Sequence, residues 1–163
     1  MYHLSVLCLT TENCISIAAV VATLLVGVVT ILTYFRIARI TNHSLMFNKL
    51  NSDLDRIVEY TIQYPYFEDE EYTRKQYRLD IVSADKEKKK DALRYELFAI
   101  MNFNFVEDLF KFFKGNDKKM RDMAHYTELI ESHGEYWKYR IVEKGEDGYK
   151  LITPLVNRVL KIG

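Results

Sequence analysis

The side chains able to do acid–base or metal chemistry are few in this chain and widely spaced. Histidines stand at His3, His43, His125 and His133. Only His125 and His133 are near each other, and eight positions on a helix are roughly two turns, too far to share one ion unaided. His125 with Glu128 at i+3, joined by Glu107 or Asp108 from a neighbouring helix, has the outline of half a carboxylate–histidine site in a bundle. Such sites take at least two of these pairs, and the sequence supplies one. As a general base, either histidine needs a nucleophile beside it, and nothing in the spacing provides one. The four consecutive acids Glu68, Asp69, Glu70 and Glu71 raise Mg²⁺ or Ca²⁺, but the alternating ligands and the glycine of a calcium loop are missing. A solvated helix start is the expected reading. There is no glycine-rich phosphate loop, nucleophile elbow or zinc motif. The residues therefore predict a non-enzymatic protein with no cofactor and no metal.

The totals narrow the partners. Lys+Arg and Asp+Glu number 23 each among 163 residues, which leaves no basic excess for nucleic acid. Residues 1–40 hold one acid, Glu12, and two bases, Arg36 and Arg39, so the charges crowd into the rest of the chain. That remainder is rich in Tyr and Phe and poor in Gly and Pro, a composition that can bury a core and favours helix. Cys8 and Cys14 both lie at or before the apolar run, so the remainder has neither a disulfide framework nor a thiolate site.

The charge-poor run "CISIAAVVATLLVGVVTILTYF" covers residues 14–35 without a charge. Twenty-two residues of helix are about 33 Å long, matching a hydrocarbon core of about 30 Å. A cleaved signal wants a basic lead, a shorter apolar stretch and a small-residue cleavage site; "MYHLSVLCLTTEN" has no Lys or Arg, and "RIARI" follows the run. A transmembrane helix over 14–35 is expected. Arg36, Arg39 and Lys49 follow it, so the positive-inside rule places residues 1–13 outside the cell and the remainder in the cytoplasm. Ala19, Thr23 and Gly27 recur every four positions on one face, a small-residue stripe of the kind that lets helices approach in lipid.

Residues 36–64 contain no Pro or Gly and predict a juxtamembrane helix continuing into the domain. Ile40, Phe47, Leu54 and Thr61, with His43, Leu50, Ile57 and Tyr64, form a heptad-like stripe. It packs on its own domain or extends a membrane dimer; His43 and Thr61 weaken a coiled-coil seam and favour the first. Pro65 ends that helix, and a short one is expected over 68–82. "SADKEKKK" leads into "DALRYELFAIMNFNFVEDLFKFFKGN", apolar nearly all round between Leu97 and Val106, hence central to the domain. Asn102 interrupts it and must find partners when buried. Asp117 is expected to cap a helix through His133, and Thr153 a last one with Pro154 at its start. The fold class is all-α: one N-terminal transmembrane helix and a bundle of four to five helices, residues 65–163 completing the domain.

"EYTIQYPYFEDEEY", "YELFAIMNFNFVEDLFKFFKG" and "ESHGEYW", in this order, resemble a group of small bacterial membrane-anchored proteins in which one N-terminal span precedes a compact helical domain. The resemblance covers roughly residues 15–160, loosens over "GEDGYKLITPLVNRVL" and carries no catalytic residue. It implies a bacterial inner-membrane protein with its domain inward, and no agreed activity. Two functions are expected from the residues themselves, on the continuous helix leaving the span, the small-residue stripe and the missing catalytic constellation. One is an interaction or sensor module that meets the lipid bilayer and a protein partner or a second copy. The other is a membrane-disrupting effector of a defence or toxin system, acting through clustered spans.

Overall fold

The computed structural model describes residues 11–162, with side chains from Ser16 onward. The expected outer segment 1–13 lies outside the described residues up to the helix start at Thr11, as does Cys8; the side chain of Cys14 does too. The described residues are helical with no strand. The chain divides between Ser44 and Leu45 into two units, and helix α1, Thr11–Gln63, belongs to both.

In the first unit α1 has no buried side chain over its most apolar 18 residues, whose mean hydropathy is 2.4. It is long and apolar enough to cross a membrane. Two threonine hydroxyls inside the run are satisfied within the helix: Thr23 donates to the Ala19 carbonyl at 2.9 Å and Thr30 to that of Val26 at 2.8 Å. A helix in hydrocarbon needs this internal satisfaction, because no water is there to substitute.

The second unit is built around α3, Lys86–Phe113. Asp85 caps its start by accepting from the Glu87 and Lys88 amides, and its end turns through left-handed Lys114 (φ 53°) and Gly115 (φ 72°). Ala92, Tyr95, Phe98, Ala99, Phe103, Val106 and Leu109 are buried along its length, as its apolar girth requires. The end of α1 lies antiparallel to α3. Tyr60 stacks on Phe98, Phe47 meets Phe112, and Lys49 bonds Asp108. The heptad-like stripe is thus spent on the protein's own core: Leu50 and Ile57 are buried, whereas Ile40 is exposed.

After Gln63 the chain makes a 3₁₀ turn at Pro65–Glu68, a π-helical turn at Tyr72–Gln76 and the short helix α2, Tyr77–Ile81. The helix expected over 68–82 starts two residues later: the chain is helical without interruption from Glu70 to Ile81, widened by the π-helical turn. Phe67 explains the later start: it is fully buried against Tyr64, Tyr66, Tyr72, Tyr95 and Phe98, and the 3₁₀ turn before Asp69 drives it there.

Helix α4, Asp117–Met123, is capped by Asn116, whose side chain accepts from Lys119 at 3.1 Å; Asp117 is the first helical residue and bonds Arg121 and the Tyr126 hydroxyl. The helix expected to run on to His133 stops at Ala124, which is extended (φ −151°, ψ 146°), and α5 follows at Tyr126–Ser132. That kink lets Met120, Tyr126 and Ile130 all reach the core. Helix α6, Gly134–Trp137, passes into a second π-helical turn, Lys138–Glu143. Helix α7, Thr153–Leu160, is led by Ile152 rather than capped by Thr153, whose hydroxyl instead bonds the Tyr149 carbonyl at 3.0 Å. Trp137 donates to Asn157 at 3.1 Å and so ties α7 to the centre.

Candidate functional site

Two polar clusters break into this aromatic core. The first joins α2, α3 and the second π-helical turn. Glu96 is 5 % exposed, and its carboxylate takes a two-pronged guanidinium from Arg140, Nε to Oε1 at 2.7 Å and Nη2 to Oε2 at 2.5 Å. The Tyr77 hydroxyl donates to the same Oε1 at 2.7 Å, and Arg140 Nη1 reaches out to Glu146 at 2.9 Å. Burial, then the adjoining carboxylate, raises the Tyr77 phenol far above its ordinary range; the hydrogen bond to Glu96 holds the Arg140 guanidinium protonated. All four groups find partners within the cluster, and fixed planar pairing of this kind braces elements rather than moving protons.

The second cluster is less complete. His133 is fully buried where α5 gives way to α6. Its Nδ1 lies 3.1 Å from the Tyr95 hydroxyl, and its Nε2 has no hydrogen-bond partner. The nearest ionic atom is Glu68 Oε1 at 4.0 Å, on the 3₁₀ turn. Burial brings the imidazole down to about 4 from an ordinary 6.5, so it is neutral at neutral pH. Burial also raises the Glu68 carboxyl, against a hydrogen bond from Thr61. Tyr95, His133 and Glu68 thus line up from the core to the surface. Glu68 opens on a cleft of about 260 Å³ lined by Glu70, Thr73, Arg74, Glu128, Glu131 and Ser132. Thr73 and Arg74 come from the first π-helical turn, a local widening often found beside functional sites.

The residues singled out from the sequence fall apart. His125 is exposed and meets only Glu128, at 3.8 Å. Glu107 pairs with Lys111, and Asp108 with Lys49 and Lys111. Among the described residues no three His, Cys, Asp or Glu side chains are grouped to hold a metal ion. Asn102 is 1 % exposed; its amide donates to the Phe98 carbonyl one turn back at 3.0 Å, and its Oδ1 is buried without a partner. Asn102 lines none of the clefts that Glu68 or Glu131 opens on. Ala19, Thr23 and Gly27 share an exposed face of the first unit, and a side-chain carbon placed on Gly27 would meet nothing within 4 Å. Sequence reasoning missed His133 as the core histidine and Glu68 as its neighbour. Sixty-five positions separate them, and no periodicity signals a contact made by a kink and a 3₁₀ turn.

No family model, curated protein or solved structure matches this chain.

Proposed function

We propose that this protein is a single-pass, membrane-anchored interaction module, in which α1 holds a helical domain at the inner face of a bacterial membrane and the domain binds a protein partner without chemistry of its own. The observation that carries the reading is the bare apolar helix. From Ile17 to Phe35 its large side chains are between 49 % and 69 % exposed. Soluble monomers rarely leave so large a contiguous apolar surface open to water, since burial is worth roughly 25 cal/mol per Å². Lipid around it removes that cost. Arg36 and Arg39 at one end support the inward orientation of the domain. The resemblance to small bacterial anchored proteins agrees with it.

The polar clusters support the second half of the reading. Glu96, Arg140 and Tyr77 satisfy one another, and the exposed His125 pair stands alone. A domain arranged in this way presents shape and charge.

The test is fractionation with an interaction readout. The full-length protein, expressed with an epitope tag, should pellet with membranes, resist alkaline carbonate and dissolve only in detergent. Bifunctional crosslinking in those membranes should then trap a discrete species, a partner or a second copy. Recovery of a folded, monodisperse protein in the supernatant of a detergent-free lysate would remove the anchor. Dye influx on induction would instead favour the membrane-disrupting effector.

A further inference from the structure

We infer that the open face of α3 between Lys86 and Asn104 receives an amphipathic helix of a protein partner, with acids in its first turn and apolar residues after them. The inference rests on the partner-binding reading above and says where the partner sits and what it brings. Lys86, Lys90, Leu93, Leu97, Ile100 and Asn104 follow one another in alternating steps of four and three. That is the spacing of a seam that takes a second helix along its length. The two lysines and Asn104 are exposed, Leu93 is 45 % and Leu97 58 % exposed, and Ile100 is half-buried. Tyr95, Phe98 and Ala99, on the other sides of the same turns, are fully buried, so the open strip has sharp edges.

The second observation is electrostatic. Lys86, Lys88, Lys89 and Lys90 crowd the start of a 28-residue helix, the end at which the helix dipole is positive and cations are unfavourable. From Asp85 to Arg94 five cations meet three acids. Asp85 is occupied by the amides of Glu87 and Lys88, Glu87 pairs with Lys90 at 3.4 Å, and Asp91 pairs with Arg94 at 2.9 Å. Lys86, Lys88 and Lys89 have no ion pair among the described residues. The fold alone would be better served by acids at these positions. Acids from a partner supply the missing charge, and a helix carries them best in its own first turn. The partner helix therefore runs parallel to α3, with its apolar residues over Leu93 and Leu97.

The third observation favours a helix over a lipid surface. Met101 and Asn104, one and two turns beyond Leu97, line a cleft of about 170 Å³ against Lys49, Asp53 and Arg56 of α1. It is smaller than an ordinary ligand pocket and has room for one side chain projecting from a helix laid along the strip. A lipid surface meets the lysines but leaves that cleft, with Asp53 in it, empty.

The experiment uses the full-length protein in phosphatidylcholine nanodiscs and a fluorescein-labelled helical peptide of three heptads. Its a and d positions are glutamate in the first heptad and leucine in the other two. Binding is read by anisotropy against empty nanodiscs. The peptide should bind, and its counterpart with lysines in the first heptad should bind at least tenfold more weakly. Lys86→Glu with Lys90→Glu should reverse that preference, while its Tm stays level or rises because the acids suit the dipole. Leu97→Ser should weaken binding severalfold. Lys118→Glu with Lys119→Glu, on the exposed start of α4, should leave it unchanged. Failure of the acidic peptide to bind at millimolar concentration would overturn the inference, as would equal weakening by the two charge-reversed variants. A marked fall in Tm for Lys86→Glu with Lys90→Glu would assign the lysines to the fold and overturn it too. Flotation of the loaded nanodiscs with phosphatidylglycerol vesicles, without peptide binding, would put lipid in the partner's place. If crosslinking in membranes traps the same species with Leu97→Ser and with Lys86→Glu, Lys90→Glu as with the native chain, this strip is not the docking point, yet the partner reading itself stands.

Discussion

Removal of Arg140 is the sharpest test of how the domain is held together. Glu96 is 5 % exposed and receives three hydrogen bonds, two from Arg140 and one from Tyr77. Arg140→Met keeps the length of the side chain but leaves a buried carboxylate with the Tyr77 hydroxyl alone. Stripping one partner from a buried pair costs about 3–5 kcal/mol. The Arg140 side chain is 27 % exposed, so water relieves part of that, and we expect a loss of about 2–3 kcal/mol. For a domain of this size the loss lowers Tm by roughly 8–15 °C. The second arm is Glu96→Met with Arg140→Met. With both charges gone the site becomes apolar, and such replacements are often close to neutral. The double variant should therefore be more stable than Arg140→Met alone, the sign of strong coupling. The assay is thermal and urea unfolding of the full-length protein in detergent, followed by near-ultraviolet circular dichroism. A loss below about 0.5 kcal/mol for Arg140→Met, or a double variant that loses the sum of the two single losses, would refute the reasoning.

Four further outcomes are expected. His133 is depressed to about 4 in the folded chain and returns to about 6.5 when unfolded, so its contribution is complete above pH 6.5 and is lost as pH falls towards 4. Glu68, which is raised, acts in the opposite direction and offsets part of the loss; Tm should still fall through that window, and His133→Gln should flatten the profile. Gly115 sits at φ 72° with Phe110 Cζ 3.0 Å from where a Cβ would lie, so Gly115→Ala should cost about 1–2 kcal/mol, more than Gly145→Ala, whose surroundings are open. Urea melts of the two variants check the order. Asn102→Leu removes a buried, unpartnered Oδ1 and should stabilise the domain by about 1 kcal/mol; a lower urea midpoint would show that the amide is needed. Leu24→Arg with Val28→Arg should release the protein from carbonate-washed membranes, because two charges near the centre of a span cost about 5–7 kcal/mol on insertion scales.

Much of the architecture was legible. The apolar run, the helix through Gln63 ended by Pro65, and the central helix closed at Gly115 follow from composition and period alone. Caps were legible only to within a residue. Asn116 rather than Asp117 takes the amide of Lys119, because its side chain stands outside the first turn, and Thr153 bonds backward to Tyr149 while Ile152 precedes the helix. The helix over 68–82 was legible apart from its first two residues, where the 3₁₀ turn buries Phe67. The kink at Ala124 was not legible: there burying Tyr126 outweighs the local preference for continuous helix.

By itself the sequence determined an all-helical chain with one helix apolar enough to enter a bilayer, since both depend on the order of neighbouring side chains along a single axis. Only the tertiary structure decided which polar residues meet. Glu96 finds Arg140 across forty-four positions, and Glu68 comes to face His133 across sixty-five. Those encounters are set by where α3 receives the turns packed around it, and that depends on aromatic rings filling a shared volume, which no local pattern records.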